Sequence, residues 1–140
     1  MIYKSKIDFF LLLFPALVIL GEAWLFILIP VWIGVVILLL ISIPLVSVIF
    51  NTYYQITQQN LLVIKCGFLS TYEIEISKIY SVLSRKGLAG LESSPALSFD
   101  RIAIHYYEGY GSKTVLISPK STTEFTKRLK EINPKITIAI

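Results

Sequence analysis

From Phe9 to Phe50 the chain carries a single charge, Glu22. That tract limits the fold more than any other feature. A hydrocarbon core of about 30 Å is crossed by about 20 helical residues, so the tract is too long for one span and close to two. The divider is "ILIPVWIG", where Pro30 can open a second helix and Trp24 and Trp32 can sit at headgroup level. The expected layout is a transmembrane helical hairpin in residues 1–50, with helices over about 7–28 and 31–50, followed by a soluble domain in residues 51–140. Lys4 and Lys6 precede the first helix, and the connecting turn has no Lys or Arg. The positive-inside rule then puts both ends in the cytoplasm of a multi-pass protein of the cell membrane.

Glu22 admits three readings. The helix could end near Gly21 and leave the acid in a wet outer turn. It could be embedded in the helix, facing Ser42 or Ser47 of the partner helix, where an ionised acid at mid-membrane costs about 2.5–3.5 kcal/mol. Or Gly21-Glu22-Ala23 could be a signal-peptidase site, which Asp8 and the second apolar run disfavour. None makes Glu22 catalytic, since one acid without a second polar group offers no acid–base pair. Glu22, Trp24 and Trp32 are the candidate outer-face contacts. Pro15 and Pro44 each remove a backbone donor within a span, which membrane helices tolerate as kinks.

From Asn51 the period changes. "TYYQIT", "LLVIKCG", "TYEIEI", "SVLSR", "ALSFDRIAIHYY" and "KTVLIS" are short runs rich in Tyr, Ile, Val and Thr, parted by turn signals at Gln58–Asn60, around Gly67 and at Glu108–Ser112. They predict antiparallel strands in a small sandwich or partly open barrel. Tyr72, Ile74 and Ile76 should face one way, Glu73 and Glu75 the other. "SPKSTTEFTKRLKEINP" then predicts a helix. Ser121 and Glu124 have capping-box spacing, Phe125, Leu129 and Ile132 form one apolar stripe, and Asn133-Pro134 stop it. The fold class is thus an α-helical hairpin plus an α+β domain, an antiparallel β-roll closed by a C-terminal helix.

Charge is unevenly spread. Residues 51–140 hold eleven Lys and Arg against seven Asp and Glu, so the net +4 belongs to the soluble half. Beside a bilayer with anionic headgroups each nearby Lys or Arg contributes about 1 kcal/mol. No basic stripe interleaved with stacking aromatics points to nucleic acid. Arg85 and Lys86, in the expected loop "LSRKGLAG", are candidate lipid or partner contacts, against the plainer reading of a solvated loop. His105, the one histidine, sits among alternating strand residues, and the one cysteine, Cys66, allows no internal disulfide. With no clustered ligands or nucleophile–base spacing, no metal, cofactor or catalytic residue is expected.

"TYYQIT", "SSPALSFDRIAIHY" (Ser93–Tyr106) and "ISPKSTTEFTKRLKEINP" (Ile117–Pro134) resemble the bacterial PH-like domains of the YyaB-like family, across essentially the whole soluble half. The resemblance implies a PH-like β-roll, often preceded by a membrane hairpin, and no catalytic motif. Pro95, Asp100, Arg101, Pro119, Ser121 and Glu124 carry over as fold-defining only, with Asp100 and Arg101 expected as a local ion pair. Within the family, the layout is similar to members that give a producer immunity to the bacteriocin sublancin. It implies a peptide toxin or its membrane target as partner, besides the lipid bilayer. The other implied role is a tethered interaction module.

Overall fold

The computed structural model describes residues 1–25, 31–68, 70–86 and 96–140, with Phe10, Leu11, Phe14, Pro15, Glu22, Leu25 and Val31 described by backbone alone. Pro30, Pro95 and the Gly87–Leu91 segment lie outside the described residues.

Alternating apolar residues become two four-stranded sheets among the described residues. The first has the order β1-β2-β3-β4, with β1 Ile2–Lys4, β2 Tyr53–Ile56, β3 Leu61–Cys66 and β4 Ser70–Glu75. The second has the order β7-β6-β5-β8, with β5 Ile79–Lys86, β6 Asp100–Glu108, β7 Gly111–Ile117 and β8 Thr137–Ala139. Neighbours are antiparallel except β8, which runs parallel to β5. The three turn signals fall where the chain needs left-handed backbone. Asn60 has φ 58°, Gly67 57° and Gly109 60°, a region that Gly and Asn enter at least cost.

Inward residues of both sheets make one core. Tyr54, Leu62, Ile64 and Ile76 are completely buried, as are Val82, Ile104 and Ile117 opposite. Ile74 joins them, while Tyr72, on the same face of β4, is exposed. Helix α3 (Thr122–Ile132) closes one side with Phe125 and Leu129, both fully buried. The expected stripe and stop are observed. Asn133 ends the helix and its Nδ2 donates to the carbonyls of Ile76 (2.9 Å) and Ile79 (3.1 Å), tying α3 to the link between the sheets.

The capping box does not form. Ser121 is the N-cap by position, but with φ −111° and ψ 73° its side chain makes no capping hydrogen bond. The backbone just before it is committed elsewhere, Lys120 N–H donating to Lys4 O at 3.1 Å. Thr122 instead donates to Pro119 O at 3.2 Å. Glu124 stays exposed in the first turn.

Two apolar helices, α1 (Phe9–Leu25) and α2 (Val31–Phe50), contact each other. At 1.5 Å per residue they are about 25 Å and about 30 Å long. One stretch among the described residues, Trp32–Phe50 near the N-terminus, is long and apolar enough to cross a membrane. Helix α1 continues through Gly21 to Leu25, so Glu22 belongs to the helix and not to a turn opening at Gly21. Trp24 and Trp32 are exposed.

The sequence grouped Met1–Lys6 with the apolar tract, but Ile2–Lys4 form an edge strand of the first sheet. Tyr3 pairs with Tyr54 in register and meets Phe125 edge-on, ring centres 5.2 Å apart. The helices α1 and α2 thus lie between two strands that are hydrogen-bonded neighbours.

Candidate functional site

Because β1 leads into α1 and α2 leads into β2, both helices are rooted at one end of the domain. The root of α1 is held by side chains. Asp8, just before the helix, accepts a hydrogen bond from Phe99 N–H (2.7 Å) and one from Ser98 Oγ (2.9 Å), and its own N–H donates to Leu97 O (3.1 Å). These donors, led by the Phe99 amide, hold its carboxyl below the ordinary carboxylate range. Lys6 reaches Asp100 at 2.9 Å, and this hydrogen bond raises the lysine's pKa. Asp100 is therefore paired with Lys6, not with Arg101 as expected. Consecutive strand residues point to opposite faces, and Arg101 is buried where Asp100 is exposed.

Beneath this lies a buried hydroxyl cluster. Tyr54 Oη accepts from Ser118 N–H (3.1 Å) and lies 3.0 Å from Ser5 Oγ. Ser5 Oγ is in turn 3.1 Å from Ser118 Oγ, which accepts from Leu97 N–H at 3.0 Å. Burial pushes the Tyr54 hydroxyl pKa up, so the phenol keeps its proton. Together with the Ser5–Pro119 bridge, the cluster joins the first sheet to the end of β7. Pro119 is fully buried there.

The root of α2 is as firm. Asn51 N–H donates to Ser47 O, and Thr52 Oγ1 to Val48 O. Gly67, in the β3–β4 turn, lies against the same two helical residues. A Cβ there would come 3.0 Å from both Ser47 Oγ and Val48 N.

Charge gathers around these roots. Lys4, Tyr53, Lys65 and Thr71 are register partners across the first sheet and share its outer face, with Lys65 Nζ 5.6 Å from the centre of the Tyr53 ring. On the second sheet Arg85 and Lys86 are exposed and pair in register with Arg101 and Asp100. They end strand β5 and do not lie in a loop, because β6 extends far enough to hold them. Through Asp100 and Lys6 they belong to the same end of the domain as the foot of α1. The sequence singled out Arg85 and Lys86 but missed Lys4, Lys6 and Lys65, which join the collar only through strand register.

The other candidates have structural settings. His105 Nδ1 lies 2.7 Å from Thr114 Oγ1, with its ring stacked 6.0 Å from Tyr80. Cys66 is half-buried, 3.9 Å from Thr52 Oγ1, on the face away from Lys65. Among the described residues no cluster of His, Cys, Asp or Glu could hold a metal ion.

A family model described as a bacterial PH domain matches residues 52–133. The chain belongs to the bacterial PH domain family. No curated protein and no solved structure matches it. PH-like domains are generally non-catalytic binding modules. The matched span begins at Thr52, so this bacterial PH domain takes its strand β1 from outside the span, from the far side of both helices.

Asp8 gives a pH prediction. Its pKa is lowered by folding, so its contribution is complete above the unfolded value and is lost as pH falls through the folded one. Glu75, lowered by its hydrogen bond from Lys78, acts in the same direction. The melting temperature should fall as pH drops through and below the ordinary carboxylate range, and Asp8→Asn should flatten that fall. An unchanged acid limb in Asp8→Asn would assign it to other carboxylates.

Proposed function

We propose that this chain is a double-pass, non-enzymatic protein of the bacterial cell membrane. In this reading it protects its own cell against a sublancin-type peptide bacteriocin, with residues 51–140 as a cytoplasmic PH domain. The observation that carries the double pass is the pairing of β1 with β2. A chain that leaves the sheet through α1 and returns through α2 must recross whatever it crosses. The far ends of the helices, with Glu22, Trp24 and Trp32, then form a small outer surface, where a peptide arriving from outside would be intercepted or kept from its target. The toxin identity rests on the resemblance of the sequence layout to sublancin-immunity members of the family.

Expressing the chain in a sensitive bacterium should raise the inhibitory concentration of sublancin several-fold, and Trp24→Ala with Trp32→Ala should reverse the gain. Unchanged sensitivity at confirmed expression would reject the immunity role.

The collar of Lys4, Lys6, Lys65, Arg85 and Lys86 favours a second reading, a membrane-tethered scaffold that holds another protein or anionic lipid. Replacing residues 9–50 with an unrelated apolar hairpin, while keeping β1, separates the two. Retained tolerance would place the activity in the domain, and lost tolerance would place it in the helices.

A further inference from the structure

The geometry points to a further membrane contact. We infer that the β3–β4 turn enters the bilayer interface beside α2, with Phe68 as its wedge and lipid as its occupant. The inference rests on reading α1 and α2 as a bilayer anchor.

Three observations carry it. Gly67 has φ 57°, and a Cβ there would crowd α2, with Ser47 Oγ and Val48 N each 3.0 Å away. The turn is therefore pressed onto the backbone of α2 about 4.5 Å along the axis from its end at Phe50. Ser47 and Val48 both belong to Trp32–Phe50, the stretch apolar enough to cross a membrane. The turn consequently shares the depth of that stretch's last turn, while the domain proper lies beyond it.

Phe68, the next residue, is 68% exposed. On the helix that the turn lies against, Val46 and Phe50, which flank Ser47 and Val48 in sequence, are exposed as well. The third observation selects lipid as the occupant. Directly behind the turn, β3 carries Lys65 in the row with Lys4 and Tyr53. Apolar residues deepest, with an aromatic ring and lysines just behind them, is the order in which a bilayer interface changes from acyl chain to phosphate. No Asp or Glu interrupts that row. A protein partner would impose no such layering along the axis of α2.

The test uses the full chain with Cys66→Ser and one new cysteine, at Phe68→Cys, Leu40→Cys or Tyr110→Cys. Each is labelled with an environment-sensitive fluorophore in vesicles of phosphatidylcholine and phosphatidylglycerol. The label at position 68 should be quenched by shallow lipid-borne nitroxide and several-fold less by aqueous iodide than the label at position 110. Iodide access at position 68 equal to that at position 110, with position 40 shielded, would overturn the wedge and leave the anchor standing. Shielding from both quenchers would mean protein in place of lipid, and also overturns it. Iodide access at position 40 as well would remove the anchor reading and the wedge with it.

Discussion

Phe125→Ala should destabilise the domain by about 3–5 kcal/mol, the range for deleting a large buried aromatic. The ring is fully buried and also supports Tyr3 edge-on, so the cavity would open under β1 as well as under α3. Small domains have only about 5–15 kcal/mol in total, and the loss is therefore a large fraction. In detergent the variant should melt well below the wild-type chain, with far-ultraviolet circular dichroism as the readout. Glu124→Ala, one residue away, should change the melting temperature little because Glu124 takes no part in a capping box. A large loss at Glu124 would revive the capping box that the geometry denies.

Two ways of removing the apolar tract should have opposite outcomes. Deleting residues 1–50 takes β1 with the helices. It would uncover the Tyr54 edge of the first sheet, strip Tyr3 from Phe125 and remove Ser5 from the hydroxyl cluster. Each buried polar group left unsatisfied costs about 1–3 kcal/mol, and the exposed sheet edge is a template for aggregation. Replacing only residues 9–50 with a short Gly-Ser loop keeps β1 beside β2, where Ser5 N–H already donates to Thr52 O. The looped chain should be soluble and melt cooperatively, and the truncated one should aggregate. Equal solubility and equal melting of the two would show that β1 contributes nothing to the fold.

The strands and α3 were legible because their information is local. Alternation marks β2, β3 and β4, left-handed turns need Gly or Asn, and the Phe125–Leu129–Ile132 stripe marks a helix face. Strand β1 was not legible. "IYK" before an apolar tract reads as a membrane flank, and only its pairing with Tyr53–Gln55 makes it a strand. The same holds for β8, three residues after a helix stop, whose parallel partners in β5 are 56 residues earlier. Capping-box spacing misled at Ser121 because the fixed path from Pro119 set its backbone angles. Asp100 and Arg101 misled because adjacency in sequence is not adjacency across a strand. For the candidate site, residue type alone found Arg85 and Lys86. Lys4 and Lys65 required register, and Lys6 required knowing where Asp100 lies.

The division of the first sheet around α1 and α2 also bears on biogenesis. Tyr3 and Ser5 are synthesised before the helices, and their partners Tyr54, Ser118 and Phe125 after them. If the helices cross a bilayer, a nascent chain in which only one of the two helices inserts leaves Tyr3 and Ser5 on one side and their partners on the other. Such a chain cannot finish its core, whereas a correctly inserted one completes it without further help. The roll would then act as a checkpoint on topology, exposing misinserted copies to proteolysis through the gap where their opening residues should lie.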